Sequence, residues 1–538
     1  MLADLTAAKV LSTIQKGMSF MNLTTLSVSQ SANQSLSLSE RAQHCCQLAK
    51  QLEKAGEYEA AHEALSEFWP ERDGPPMIEG LDRATEAQVL LRTGSLAGWL
   101  GSVHQTEGSQ ETAKNHITRS MEIFEEVGQP QRATEARCDL ALCYWREGAF
   151  DEARVILGDV LREIPDSDSE MKAIALVRGA IVERTAMRYN EALNMLTRAS
   201  ALVEASGDHA LVGAFHNQLG TVLENLSRVE QREDYRDRAF IEYAAASFHF
   251  EKAGHARYCA RVENNLGYLF FTLNKFQEAY VHLDRARRVC LEVGGSGTAA
   301  QVDDTRARAL MAEGRLPEAE RFAQAAVKTL ERGGEQSLLA EALTTHGTVL
   351  ARMGKVARAK ASLQRGIEVA QTSGDLEGAG RAHLSTIEEL GQQTSVDDLV
   401  SNYKAALDLL QSSQDPATTR RLISCAQKVI GSLDVAGDMD AAADASANEN
   451  GWDGFSFKQQ VLDYEKEILS RALRDTGGAV TKAARLLGFN HHQSLIALIN
   501  SRHKGLLGVR SAVRKRRRSI IKVGKNVSKM RALAPLKS

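Results

Sequence analysis

The sequence is poor in the residues on which several protein classes depend. Among 538 residues there are only 8 prolines, 7 cysteines and 5% aromatic residues. Runs of β-branched and aromatic residues at strand spacing are nearly absent, which disfavours an all-β or Rossmann-like body. No Cys-x-x-Cys pair occurs, so we expect reduced, mostly buried cysteines in a cytoplasmic protein.

Long apolar runs are missing as well. No window approaches the roughly 20 consecutive apolar residues that a membrane helix needs. The N-terminus lacks the basic start, compact apolar centre and cleavage site of a signal peptide. The sequence therefore predicts no export and no membrane partner, and we interpret residues 1–40 as a poorly ordered tail or a loosely docked helix.

Motifs of catalysis are also absent. The chain contains no G-x-x-x-x-G-K-[ST], no H-E-x-x-H and no G-x-S-x-G, and no pair of carboxylates stands out from the charged helix faces. We therefore expect a protein that is not an enzyme and that uses no cofactor and no metal.

Charge is distributed unevenly along the chain. The formal net charge of the whole sequence is −3, but from Phe455 onward 19 Lys and Arg face only four acids, a net of +15. The first 454 residues consequently carry −18, and no acid follows Asp475. Such an asymmetry indicates nucleic acid as a partner of the basic part.

The abundant feature of the acidic part is a helical repeat. Its clearest copy has Leu140-Ala141 on a first helix, then Tyr144, a turn at Gly148 and Ala153 on a second helix. Small residues let the two helices approach, and glycine allows the tight turn. The equivalent second-helix alanines, mostly about 40 residues apart, are Ala61, Ala113, Ala153, Ala192, Ala279, Ala319 and Ala359. One further copy is expected around Leu219-Gly220, lengthened by a polar insert.

These units resemble tetratricopeptide repeats, although a period of about 40 rather than 34 residues implies longer helices. The resemblance implies an all-α fold in which residues 41–430 form a superhelical solenoid. Such a solenoid usually binds a protein or peptide. A spacer or a dimer platform is the alternative use.

An acidic stretch follows the repeats. Residues 431–456 contain six acids and no base, a composition that cannot bury a core. We interpret this stretch as a flexible linker. A second possibility is that it shields the basic module when DNA is absent.

The C-terminal part has the pattern of a compact helical domain at residues 457–508. A first amphipathic helix ends at Gly477-Gly478. Its expected apolar face consists of Val461, Tyr464, Ile468 and Ala472, joined by Leu469 and Leu473. Next, Thr481 is expected to cap a short helix that Gly488 closes. A last helix over about 491–501 should turn Leu495, Leu498 and Ile499 inward, and the layout predicts a helix-turn-helix.

The strings Thr476-Gly477-Gly478 and Ala483-Ala484-Arg485-Leu486-Leu487-Gly488 resemble the Fis-type helix-turn-helix of bacterial transcriptional regulators. One difference is that the first apolar residue of the last helix is Leu495 rather than residue 494, which implies one extra residue around Asn490–Gln493. The resemblance implies a DNA-binding module that can act as a homodimer on a two-fold related site.

The resemblance also implies which residues contact double-stranded DNA. Base edges would be read by Asn490, His491, His492, Gln493 and Ser494, since Gln can pair with adenine and His can donate to guanine. Phosphates would be contacted by Thr481, Lys482, Arg485, Asn500, Arg502, His503 and Lys504. A basic arm at residues 509–538 adds Arg514, Lys515, Arg516, Arg517 and Arg518. The histidines lack the cysteine or carboxylate partners of a zinc site.

The favoured hypothesis is a cytoplasmic, bacterial-type transcriptional regulator that binds specific duplex DNA and receives a protein or peptide on its solenoid. Two alternatives stay open. In the first, the solenoid is an interaction scaffold and the basic end only localises it to nucleic acid or an acidic partner. In the second, the basic end binds RNA, although interleaved aromatic residues for base stacking are lacking.

Overall fold

The structure is a computed structural model that describes residues 36–445 and 456–509, except residues 166, 412, 414 and 490. Side chains are not described for residues 434–445, 457, 460, 461 and 507–509. The chain divides into two compact units, Met1–Ala436 and Gly437–Ser538. Regular structure in the described ranges is entirely helical. None of the described helices combines the length and the apolar composition that crossing a bilayer requires.

The first unit is a stack of helix pairs followed by one long helix, which confirms the predicted all-α repeat architecture. Its helices are α1 Leu38–Lys54, α2 Tyr58–Ala64, α3 Arg83–His104, α4 Ser109–Glu126, α5 Pro130–Glu147, α6 Phe150–Glu163, α7 Ser169–Thr185, α8 Tyr189–Ser206, α9 His209–Glu230, α10 Glu233–Lys252, α11 Ala256–Thr272, α12 Phe276–Glu292, α13 Ser296–Ala312, α14 Leu316–Leu330, α15 Gln336–Arg352, α16 Val356–Ser373, α17 Leu376–Leu390, α18 Val396–Leu410 and α19 Pro416–Ala445. A short 3-10 turn, Gly391–Gln393, separates α17 from α18.

Small residues mark the helix crossings, as the sequence pattern predicts. All seven second-helix alanines are fully buried, from Ala61 to Ala359. On the first helices, a Cβ atom added at Gly267 would lie 2.7 Å from the Leu283 side chain, and one at Gly347 would lie 2.6 Å from Leu363. Contacts this close leave no space for a side chain, so the two helices of a pair approach each other at these glycines.

The turn of the clearest repeat also forms as expected. Gly148 has a φ of 99°, a left-handed conformation that glycine adopts without steric cost. Its N–H donates to Trp145 O, and the next N–H, of Ala149, donates to Tyr144 O. These bonds satisfy the last carbonyls of α5 before α6 begins at Phe150.

The lengthened copy around Leu219-Gly220 is a pair of long helices. α9 has 22 residues and α10 has 20, and only Gln231 and Arg232 lie between them. The polar insert therefore extends both helices instead of forming a loop. A Cβ added at Gly220 would lie 2.9 Å from the Tyr243 ring, so this pair crosses as the other pairs do.

Pairs that are far apart in sequence also contact each other. The Arg257 guanidinium of α11 donates to Gly56 O at 3.0 Å and to Glu59 at 2.8 Å. Ser296, at the start of α13, donates to Val103 O of α3 at 2.7 Å. These contacts join residues about 200 positions apart. Each of the first two helix pairs therefore touches a pair that follows about five pairs later in the chain.

Two domain expectations need correction. Helix α1 begins at Leu38 with a capping box between Ser37 and Glu40, so the last residues of the expected tail are ordered helix. Residues 431–445, expected as flexible linker, continue α19. This stretch is rich in alanine and free of proline, and alanine is the strongest helix former. Residues 1–35 and 446–455 lie outside the described part of the chain.

The cysteines agree with their expected role. All seven are free, and five of them are buried. Burial raises the pKa of the Cys46, Cys138 and Cys143 thiols to about 12. A thiol that stays protonated is a poor nucleophile and a poor metal ligand, so these residues serve as small apolar side chains.

Candidate nucleic-acid interface

In the described residues 456–509 of the second unit, three helices surround a small core. Helix α20 spans Phe457–Asp475, α21 spans Val480–Leu486 and α22 spans His492–Arg502, and a 3-10 turn follows at Lys504–Val509. The core consists of Leu469, Ala472, Leu473, Ala483, Ala484, Leu495, Ile499 and Leu506, each no more than 5% exposed. All of these except Leu506 are positions that the sequence pattern assigned to buried faces or to the Fis-like motif.

Helix α20 supports the other two with its C-terminal half. Ser456 caps its start, where the Ser456 hydroxyl accepts from the Gln459 N–H. It ends where the Gly478 N–H donates to Leu473 O at 2.7 Å. Tyr464 and Ile468, expected on its inward face, are 68% and 39% exposed. The residues that α20 contributes to this core are Leu469, Ala472 and Leu473 in its last two turns, and Tyr464 and Ile468 lie outside it.

Helix α21 crosses the support helix at Ala483 and Ala484, which are almost fully buried. Its start differs from expectation, because the N-cap residue is Ala479 and no side chain caps the helix. Thr481 is instead an exposed residue of the first turn, together with Lys482. Both side chains are therefore available for contact with a phosphate.

The turn between α21 and α22 uses Gly488 at a φ of 75°. The Phe489 N–H then donates to Ala484 O at 2.9 Å, which closes the end of α21. Helix α22 begins at His492, and Leu495 is fully buried whereas Ser494 is exposed. The sequence prediction that Leu495 rather than residue 494 is the first buried position is thus confirmed. Asn490, a candidate for base contact, lies outside the described residues.

The candidate base-reading residues lie at the start of α22. His491 is the N-cap residue and its side chain makes no capping hydrogen bond. His492, Gln493 and Ser494 form the first turn, and all four side chains are exposed. They are therefore free to contact base edges, and their positions at the beginning of a second short helix suit the major groove.

The candidate phosphate-contacting residues are also exposed, with one exception. Exposed are Thr481, Lys482, Arg485, Asn500, Arg502 and Lys504. From Thr476 to Val509 the sequence has no acid, so this surface is positively charged. A surface of this kind attracts a phosphate backbone. The candidates Arg514, Lys515, Arg516, Arg517 and Arg518 lie beyond the described residues.

His503 is the exception. Its residue is 5% exposed, and its Nε2 lies 2.9 Å from a Glu465 carboxylate oxygen. The hydrogen bond from His503 lowers the pKa of Glu465, with Arg502 as a further contact at 3.5 Å. A buried side chain held in this way ties the end of α22 to α20 and is not available to a phosphate. No local sequence pattern indicates this contact, because 38 residues separate its two partners.

No group of three or more His, Cys, Asp or Glu side chains in the described ranges is arranged to hold a metal ion. His491 and His492 are adjacent, exposed residues and His503 is engaged by Glu465.

Residues 461–491 match the protein family described as "Bacterial regulatory protein, Fis family". The match includes most of α20, all of α21 and the turn, and it ends at the N-cap of α22. No curated protein matches the chain.

Several solved structures are similar to this chain at low sequence identity. One is a Rap protein complexed with competence and sporulation factor, with 12% identity over 73% of this chain and 99% of that one, at a TM-score of 0.44. Another is a STAND protein with a tetratricopeptide repeat sensor from Pyrococcus horikoshii, with 11% identity over 68% of this chain and 55% of that one, at a TM-score of 0.40. Yeast Tom70 has 13% identity over 72% of this chain and 82% of that one, at a TM-score of 0.38.

The repeat architecture itself rests on the helix pairs and crossings described above. The chain thus combines a tetratricopeptide-like helical solenoid with a Fis-family helix-turn-helix at its C-terminal end.

Proposed function

We propose that this protein is a sequence-specific, DNA-binding transcriptional regulator whose solenoid binds a protein or peptide partner. The observation that carries the proposal is the acid-free surface of residues 476–509, the first part of which lies in the Fis-family match, with exposed polar side chains at the start of α22. Helix-turn-helix proteins read bases with this part of the second helix. A bacterial cytoplasm and a homodimer on a two-fold site belong to the same proposal.

The proposal is tested by selecting binding sites for the full chain from a random duplex library. Repeated rounds should enrich one reproducible motif, and a palindromic motif would support a homodimer. Binding that falls with salt but shows no preference among duplexes would overturn the regulator and favour the scaffold.

Two substitutions separate base reading from phosphate contact. We expect Gln493→Ala to reduce discrimination at one position of the motif by about 1–3 kcal/mol, because it removes a bidentate side chain. Lys482→Gln should weaken binding to all duplexes alike and lower the salt dependence by about one phosphate contact.

The matched control is Lys466→Gln, which removes an exposed lysine from the support helix α20. It should leave both affinity and discrimination unchanged. If all three variants had the same small effect on every duplex, α21 and α22 would not be the reading elements.

A further inference from the structure

A cavity opens on the side of the solenoid that is formed by the first helices of its pairs. Helices α1, α3, α5 and α7 all contribute to it, and its volume is about 220 Å³. Four basic and five acidic side chains line it, together with Trp99, Met171 and Ile174. The lining therefore has a slight excess of negative charge and a small apolar portion.

The basic side chains of the cavity already have acidic partners. Arg92 donates to Glu53 at 2.8 Å and to Glu135 at 2.7 Å. Lys50 pairs with Glu135 at 2.8 Å, and Arg178 pairs with Asp139 at 2.7 Å. The fourth base, Lys54, lies 2.8 Å from a carboxylate oxygen of Asp208. An anionic ligand would have to displace these internal partners, so the cavity is not suited to one.

Glu53 is an acid of the cavity with one carboxylate oxygen that accepts no hydrogen bond from the described residues. Its side chain is nine-tenths buried, and its Oε2 accepts the bond from Arg92. Its Oε1 is buried and has no hydrogen-bond partner among the described residues. A buried carboxylate oxygen without a donor is costly, since charged acceptors lose the most on leaving water. Burial also raises the pKa of Glu53 to about 7, against the opposing effect of Arg92.

We propose that this cavity binds the cationic group of the peptide partner, with the Glu53 carboxylate as its acceptor. The cation is an ammonium or guanidinium group, from a Lys or Arg side chain or from the amino terminus. Met171 and Ile174 offer apolar contact to the methylene groups beside it. This inference rests on the proposed function, because it names the chemistry of the partner that the solenoid receives.

The test uses a random decapeptide library displayed with free amino termini and selected on the full chain. Enriched peptides should share a Lys or Arg at one position, or should require a free amino terminus. Each enriched peptide is then synthesised with norleucine or citrulline at the shared position and, separately, with an acetylated amino terminus. One of these changes should weaken binding by at least about tenfold, the effect of losing a charge-assisted hydrogen bond.

The same changes are measured on Glu53→Gln, which keeps the shape of the side chain and removes its charge. On this variant the neutral peptide should bind within about threefold of the basic one. Glu170→Gln changes an acid at the rim of the cavity, with a side chain that is 62% exposed. It provides a second variant if Glu53→Gln lowers the thermal stability. It should reduce the preference for the basic peptide by a smaller factor than Glu53→Gln does. Glu122→Gln, on α4 and outside the cavity, is the control and should keep the full preference.

Peptides that enrich without a basic position or amino-terminal requirement would overturn this inference and leave peptide binding intact. A basic preference that is unchanged in both cavity variants would overturn it as well. Failure of any peptide to enrich would refute the peptide-binding part of the proposed function along with it, whereas the selection of duplex DNA would still report on the DNA-binding part.

Discussion

Single buried carboxyl groups make the stability of the solenoid depend on pH. Glu224 is 2% exposed, and its Oε2 accepts from the Tyr243 hydroxyl at 2.8 Å. Burial raises the pKa of Glu224 from 4.5 to about 7, and Arg228 only partly offsets this. The folded chain therefore favours the protonated carboxyl, whereas the unfolded chain is ionised above pH 4.5. The contribution of Glu224 to stability is lost as the pH rises from about 4.5 to 7.

Glu224→Gln is expected to remove this loss. A neutral amide should raise the free energy of unfolding at pH 8 by about 3 kcal/mol, because the pKa of Glu224 rises from 4.5 to about 7 on folding and each pKa unit corresponds to about 1.36 kcal/mol. At about pH 4, where the carboxyl is largely protonated in the folded and in the unfolded chain, the variant should gain almost nothing. Urea unfolding followed by circular dichroism at the two pH values measures the difference. An equal gain at both values would show that the ionisation of Glu224 is not its source.

At the scale of helices, close crossings at glycine hold several of the pairs together. Gly347→Ala on α15 would place a Cβ 2.6 Å from the Leu363 side chain and 3.1 Å from its backbone N. The pair must then move apart, and we expect a loss of about 1–3 kcal/mol in unfolding free energy.

The matched control is Gly158→Ala on α6, where an added Cβ meets nothing within 4 Å. This change should stabilise the protein by about 0.5–1 kcal/mol, since alanine is the better helix former. Thermal and urea unfolding of both variants measure the two effects. If both substitutions stabilised the chain, the close crossing at Gly347 would be wrong.

The elements differ in how far the sequence predicts them. The sequence predicts the helix crossings at Ala61 to Ala359, because a local pattern of small residues marks each of them and repeats along the chain. The sequence predicts only the C-terminal half of the buried face of α20 correctly. The amphipathic pattern of this helix is longer than the core it covers, so Tyr464 is exposed. The helical continuation of α19 is not predicted, because its many acids indicate a flexible linker. Its alanines nevertheless favour the helix that the structure shows.

The sequence does not predict the contacts between residues that are far apart in the chain. Glu465 and His503 each fit a solvent-exposed helix face by pattern, and only the fold brings them to 2.9 Å. The contacts of Arg257 with Gly56 and Glu59 depend on how much each repeat rotates, and this rotation sums over about five pairs. The cavity at Glu53 arises in the same way, since its four helices come from four different pairs.

At the scale of the whole molecule, the near-neutral total conceals two chemically different parts. The first 454 residues carry −18 and the remainder +15. In the described residues 456–509 there are eight Lys and Arg and four acids, so most of the positive charge belongs to residues 510–538. DNA affinity should therefore depend strongly on this arm, through release of counterions from the phosphates that it neutralises.

Replacing Arg514–Arg518 with glutamine tests this dependence. The slope of log affinity against log salt should decrease in magnitude by about one for each phosphate contact that is lost, while the preferred motif should stay the same. The control removes five bases from the solenoid, each with a side chain at least half exposed: Arg119, Arg162, Arg358, Lys360 and Arg365. It changes the net charge equally, so a response to total charge would lower both slopes alike. Fluorescence anisotropy with a labelled duplex from 50 to about 300 mM salt measures them. An unchanged slope in the arm variant would mean that Arg514–Arg518 neutralise no phosphate.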